Sequence, residues 1–250
     1  MSSPPGEPVL RCVSLWKSFG PEGRRVEVLR GLDLAVWRGE MVAILGESGT
    51  GKTTLLHLVG AIDRPDEGSI LFRGRDIASA TALERASYRN RDLGFVFQFH
   101  HLLPEFSAAE NAMMPLLIRG EERRRARQRA LALLQELGLG ESADRRPTEL
   151  SGGEQQRVAV ARTIVGGPAM LLADEPTGNL DERNAEAVFT LLFDLHRRRG
   201  MTTLFVTHSA RLASKCSRIL RMEHGSLTDP AGSRYNVTAG AARPNSSIRP

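Results

Sequence analysis

The chain has 250 residues, enough for one full hydrophobic core with appendages. With 41% apolar and 25% charged residues it has the balance of an ordinary soluble globule, which excludes collagen-like, low-complexity and fully disordered classes. No apolar run is long enough to span a bilayer, and the formal net charge of +5 leaves a nucleic-acid or anionic-membrane partner open.

Residues 1–8 are Pro-rich, lack the basic and apolar regions of a secretory signal, and are expected to be disordered. Cys12 and Cys216 are too few for a disulfide framework and have no metal-ligand spacing, which suits a reducing cytoplasm. From residue 9 to about 36, short alternating segments around the turn Gly20-Pro21-Glu22-Gly23 predict antiparallel strands.

The apolar run Met41-Val42-Ala43-Ile44-Leu45 predicts a buried strand, and Thr54-Leu55-Leu56-His57-Leu58-Val59 a helix. Between them lies Gly46-Glu47-Ser48-Gly49-Thr50-Gly51-Lys52-Thr53, a Walker A phosphate loop in the strand–loop–helix context that such a loop requires. Glycines let backbone wrap around phosphate oxygens, and N–H groups at a helix start point at an anion. Lys52 is expected on the β- and γ-phosphates, and Thr53 on Mg²⁺. A glycine-rich turn that merely fits the pattern is the plainer alternative.

Further along, residues 69–73, 93–98, 170–173 and 202–207 predict strands, and residues 184–199 a helix. Residues 99–167 are mostly helical in pattern. Strands alternating with helices predict a mainly parallel, doubly wound α/β sheet. Arg123, Arg124, Arg125, Arg127 and Arg129 are the densest positive cluster, but Ala126, Ala130, Leu131, Leu134 and Leu137 recur through it at helical spacing. The cluster reads most simply as the solvated face of an amphipathic helix; a nucleic-acid backbone contact or an anionic membrane surface is the sharper alternative. From residue 229 onward, Pro, Ser, Gly, Ala and Arg without period predict a disordered tail.

Asp174-Glu175 follow the apolar run ending at Ala173, the Walker B arrangement. It delivers Asp174 to a magnesium shell and Glu175, leaving in another direction, to an attacking water as general base. An acidic pair ending a strand before Pro176 is the structural alternative. Leu150-Ser151-Gly152-Gly153-Glu154-Gln155-Gln156-Arg157 places Ser151 as an N-cap with Glu154 at the capping-box position. Two glycines in a first helical turn are destabilising, which is explained if a γ-phosphate must approach bare backbone.

In this order, the three strings resemble the motif set of the ATP-binding-cassette (ABC) ATPases, over about residues 9–227. The resemblance implies a P-loop NTPase fold: a RecA-like parallel-sheet core, an antiparallel β subdomain and a helical subdomain at about 99–165, within an ATPase domain at 9–228. It implies Phe19 on adenine (with Trp16 a near rival) and ATP on Gly46, Glu47, Ser48, Gly49, Thr50, Gly51, Lys52, Thr53 and Thr54. Thr53, Gln98 and Asp174 would hold Mg²⁺, His208 would be the switch histidine on the γ-phosphate, and Lys52, Glu175 and His208 would be the catalytic set. Two copies would sandwich two ATP molecules, each phosphate loop facing the partner's Ser151, Gly152, Gly153 and D-loop Asp181. Branches that carry a long coiled coil before the signature, or two cassettes in one chain, do not match.

Phe99-His100-His101-Leu102-Leu103-Pro104-Glu105-Phe106, with Glu110-Asn111-Ala112-Met113-Met114-Pro115-Leu116-Leu117, is similar to the lipoprotein-releasing branch found in Gram-negative bacteria. It departs from that pattern at Ser107-Ala108-Ala109 and in its longer tail. The resemblance implies a peripheral ATPase on the cytoplasmic face of the inner membrane, two transmembrane subunits, lipoprotein cargo handled by those subunits, and no nucleic acid. A macrolide- or peptide-exporting relative is the nearest alternative, and a nucleic-acid-associated ATPase the more distant one. Leu102, Leu103 and Phe106 are either core or a groove for a helix of the membrane subunit. His100 and His101 have no metal-ligand set nearby, so structural or interface roles fit them best.

Overall fold

The computed structural model describes residues 6–21, 23–178, 182–229, 232, 233 and 235, and for 182–184 the backbone alone. Most of the two terminal segments expected to be disordered, and the D-loop residues Asn179, Leu180 and Asp181, lie outside the described residues. The chain divides into two compact units, residues 1–85 with 202–250, and residues 86–201.

In the first unit, β1 (Leu10–Phe19) pairs antiparallel with β2 (Val26–Val36) and with β4 (Glu67–Phe72), as the alternating pattern predicted. The two-residue β5 (Arg75–Asp76) pairs with β4. Its second layer is built on β3 (Met41–Leu45), which lies between two parallel neighbours, β8 (Thr202–Thr207) and β9 (Arg218–Glu223). A strand covered on both faces has no reason to alternate, so β8 is buried along its whole length. The antiparallel β10 (Ser226–Thr228) extends β9. Two helices complete the unit, α1 (Lys52–Val59) after β3 and α7 (Ala210–Ala213) after β8.

Arg218 fastens Tyr235 to this unit. Its Nε lies 2.9 Å from Glu40 Oε1, its guanidinium stacks 5.1 Å from the Trp37 ring, and it donates to the Tyr235 hydroxyl at 2.9 Å. Burial pushes the Glu40 carboxyl up, against the opposing pull of Arg218 and the Trp37 N–H. Tyr235, inside the tail, also donates its N–H to the Leu227 carbonyl at 2.8 Å.

In the second unit, β6 (Leu93–Val96) and the fully buried β7 (Met170–Asp174) pair in parallel. Three helices stand between them in sequence: α3 (Ala108–Ile118), α4 (Arg123–Glu136) and α5 (Gly152–Ile164). They pack on one another, and α6 (Glu182–Arg199) packs on α5. α2 (Ala82–Arg91), which the pattern did not predict, has a single buried side chain, Tyr88. The arginine cluster lies on α4, whose buried face is Ala126, Ala130, Leu133 and Leu134. Arg123, Arg124, Arg125, Arg127 and Arg129 each meet a carboxylate, from Glu110, Glu122, Glu121 or Asp144, at 2.7 to 3.6 Å. Their charge is answered within the fold, which favours the solvated-face reading.

Candidate active site

In the first unit the phosphate loop is shaped by its own neighbours. At Gly46 a Cβ would meet Thr50 Oγ1 at 2.8 Å and the Met222 carbonyl oxygen at 2.9 Å. Gly51 has φ +106°, and a Cβ there would meet Leu29 Cδ2 at 2.9 Å, so only glycine fits. The loop thus leads straight into α1, whose first turn has no acidic residue and whose N-cap, Gly51, has no side chain to compete for the N–H groups. That makes an anion cradle. The buried Lys52 folds back over the loop, Nζ donating to the Gly46 carbonyl at 2.8 Å and the Glu47 carbonyl at 2.7 Å. Thr53 and Ser48 are exposed and Thr54 is half-buried.

His208, exposed at the end of β8, shares a cleft of about 520 Å³ with Gly46, Glu47 and Thr50. Its backbone position is fixed by Ser209, whose N–H donates to Thr207 Oγ1 at 3.0 Å and whose hydroxyl caps α7. Phe19, at the end of β1, is 46% exposed and pairs with Val26 on β2, two and three residues before the Val28 and Leu29 that a Cβ on Gly51 would meet. Trp16 instead pairs with Glu67 on the far side of β1. Lys17 pairs with Leu29, and Phe19 closes the strand. The buried Lys17 supports the Phe19 ring from 5.2 Å while bonding to Asp63 at 2.9 Å and the Arg64 carbonyl at 2.6 Å.

The second unit gathers the remaining described residues. Asp174 ends β7 and is 9% exposed. Glu175 turns into the left-handed region at φ +42°. A non-glycine residue held there is strained, and such strain gathers at working sites. Pro176 follows, its carbonyl accepting from the fully buried Gln156 at 2.8 Å. Gln98 lies over Gly178, where a Cβ would meet Nε2 at 2.9 Å.

The signature string forms the start of α5 as its spacing predicted. Ser151 is the N-cap and a full capping box joins it to Glu154. Gly153 is buried. Gly152 is different: exposed, without positive φ, and with nothing within 4 Å of a Cβ built on it. Among the described residues nothing requires glycine at that position.

Two polar residues of α5 went unremarked in the sequence. Gln156 is one. The other is Arg162, which donates to the His101 carbonyl at 2.7 Å and the His100 carbonyl at 2.8 Å. On the far side of that segment, the buried Asn111 side chain accepts from Leu103 N–H and donates to the carbonyls of Leu103, Phe106 and Ser107. Clamped at both ends, the segment presents Phe99 and Leu103, 62% and 39% exposed. Their signal in the sequence was a polar side chain at a buried helical position. His100 is held below the ordinary histidine range by burial and by its neighbour His101. Both cysteines are buried and unpaired; burial pushes the Cys216 thiol up to about 12 and that of Cys12 up as well. Among the described residues no cluster of His, Cys, Asp or Glu could hold a metal ion by itself.

Residues 29–178 match the ABC transporter family. The chain is 51% identical over 214 residues to the lipoprotein-releasing system ATP-binding protein LolD of Syntrophus aciditrophicus, covering 86% of this chain and 96% of that protein. It is 51% identical to LolD of Geobacter metallireducens, over 87% of this chain and 96% of that one. With LolD of Syntrophotalea carbinolica it shares 49%, over 89% and 98% of the two chains. Among solved structures, the dimeric MJ0796, a bacterial ABC transporter cassette, superposes with a TM-score of 0.80 at 32% identity, covering 88% of this chain and 98% of that one. The same cassette in a post-hydrolysis dimer with ADP and Pi matches equally, with TM-score 0.80, 32% identity and the same coverage. This chain therefore belongs to the ABC transporter ATPases, and within them to the LolD type.

Proposed function

We propose that this ATPase powers the release of lipoproteins from the inner membrane towards the outer membrane, as one of two identical cassettes beneath two transmembrane subunits. The single observation that carries the two-chain reading is Gly152, an exposed glycine that no described residue requires, on a chain that also owns a phosphate loop. Each of the two sites would pair one chain's loop with Ser151, Gly152, Gly153 and Asp181 of the other. The dimeric state of the MJ0796 cassette and the names of the LolD relatives support the assembly and the cargo.

Within each site, Phe19 would stack on adenine, and Gly46 to Thr54 would wrap the phosphates. Lys52 would exchange its two loop carbonyls for phosphate oxygens. Thr53, Asp174 and Gln98 supply the hydroxyl, carboxylate and amide oxygens that suit a hard cation, so they fit Mg²⁺. When bound, Mg²⁺ would neutralise charge on the phosphate oxygens. Glu175 would take the proton of the attacking water, and His208 would hold the γ-phosphate. The ATPase domain would span residues 9–228, with residues 99–165 as its helical subdomain. The clamped segment bearing Phe99 and Leu103 would receive a helix of a membrane subunit. No described helix is long and apolar enough to cross a membrane, in keeping with peripheral attachment to the cytoplasmic face in a Gram-negative cell.

The test is purification with the neighbouring membrane subunits. Glu175→Gln should bind ATP while turnover falls by roughly 10²–10⁴, and Lys52→Ala should lose affinity. Near-normal turnover in the first variant removes Glu175 from its role, and nucleic-acid-stimulated hydrolysis without a membrane partner overturns the transport reading.

A further inference from the structure

We infer that Glu154 is a positioning residue that holds the hydroxyl proton of Ser151, and that this proton must be released before Ser151 can serve a phosphate. The inference rests on the role proposed above for Ser151 in a second chain's site.

The Ser151 hydroxyl has one proton and two lone pairs. The proton is committed: Ser151 Oγ donates to Glu154 Oε2 at 2.7 Å. One lone pair accepts the Glu154 N–H at 3.3 Å. The same Oε2 takes the Ser151 N–H at 2.9 Å, and Oε1 takes the hydroxyl of the buried Ser142 at 3.2 Å. One carboxylate thus accepts three hydrogen bonds. The Ser151 hydroxyl first, then its N–H and the Ser142 hydroxyl, hold the Glu154 carboxyl below the usual range against a smaller opposing effect of burial, so it is charged at neutral pH.

A γ-phosphate oxygen can only accept. Ser151 can meet it only by turning its proton away from Glu154. The helix start survives this turn, because the backbone bond from Ser151 N–H and the bond from Ser142 do not depend on it. The rotation therefore exchanges one charge-assisted bond for another, and the strength of the first sets how readily the second forms. A glutamine at this position also completes a capping box, so Glu154→Gln keeps the helix while leaving a neutral acceptor. Neutral hydrogen bonds are roughly half as strong as charge-assisted ones. The latch is then easier to open.

Two readouts test this on the full-length chain. In a Glu175→Gln parent, chosen to accumulate the ATP-bound dimer, light scattering gives the ATP concentration for half-maximal dimer in the presence of Mg²⁺. Adding Glu154→Gln should lower it by roughly threefold or more, with only a small fall in melting temperature as the bonds to this side chain lose their charge assistance. In the parent with ¹³C-labelled glutamate, the Glu154 carboxyl resonance should shift when ATP closes the dimer, as it loses one of its three donors. An unchanged or higher midpoint overturns the latch. So does a lower midpoint with an unmoved resonance, which would place the effect in through-space charge. No ATP-driven dimer in the parent overturns the two-chain reading, and this inference with it.

Discussion

The phosphate loop and the signature loop are both glycine-rich helix starts, yet their glycines answer to different things. At Gly46 and Gly51 the reasons lie inside the chain: a close backbone carbonyl, a positive φ, a leucine methyl. At Gly152 the described residues supply none. One loop is a finished half of a site, folded around itself and closed by Lys52. The other, on the reading proposed above, is a surface for a group brought by a second chain. Glycine alone is thus a weak signal; the surroundings of its absent Cβ show whether folding or recognition requires it.

Paired alanine substitutions break or sharpen this contrast most. Gly51→Ala forces a side chain to φ +106° and into Leu29 and Val28, so it should cost about 2–4 kcal/mol of stability and lose nucleotide binding. Gly152→Ala enters open space at the first position of α5, and should leave stability unchanged or raise it by up to about 1 kcal/mol. It should nonetheless abolish ATP-driven dimerisation and turnover. Thermal melts and ATPase assays on the two variants decide the matter. A Gly152→Ala chain that hydrolyses ATP normally would mean that nothing approaches that backbone.

Much of this was legible because it was local. The phosphate loop, Asp174-Glu175 and the capped signature helix each lie within about eight residues, and β3 and β7 announce themselves as apolar runs. What escaped was non-local or weakly apolar. α2 buries one side chain, so it has no stripe to read. Gln156 and Arg162 act on carbonyls 20 and about 60 residues away, which no spacing rule reaches.

The opposite end of α5 gives a middle-sized test. Arg162 joins the helix of the signature to the carbonyls of His100 and His101, and His101 sits at φ +46°. Arg162→Ala removes two charge-assisted bonds and should cost about 1.5–3 kcal/mol. Hydrogen exchange should rise in residues 99–106, while nucleotide affinity at the phosphate loop is unchanged. Arg162→Lys, which lacks the planar fork, should recover only part of the protection. Loss of affinity in the alanine variant would show that the first loop is not self-contained.

The smallest effect is set by pH, and the two units should feel it in different windows. In the second unit, burial holds His196 below its ordinary 6.5, against a weaker opposing effect of a hydrogen bond to the Met201 backbone. The unfolded chain then binds this proton more readily than the folded one. Stability is present above about pH 6.5 and falls as pH drops below it, by no more than about 1.4 kcal/mol per pH unit for one proton. In the first unit, burial would raise Asp63, but the hydrogen bond from Lys17 and its charge, with the Arg64 N–H, hold it below 3.8. That contribution is complete above the carboxylate range and is lost only in stronger acid; the raised Glu40 acts in the opposite sense, favouring the folded form as pH falls. Between pH 7 and 5.5, hydrogen exchange should therefore quicken around α6 before it does around Lys17 and Phe19, and His196→Gln should flatten the response. Equal softening of both units in that range would mean that His196 does not set the second unit's acid sensitivity.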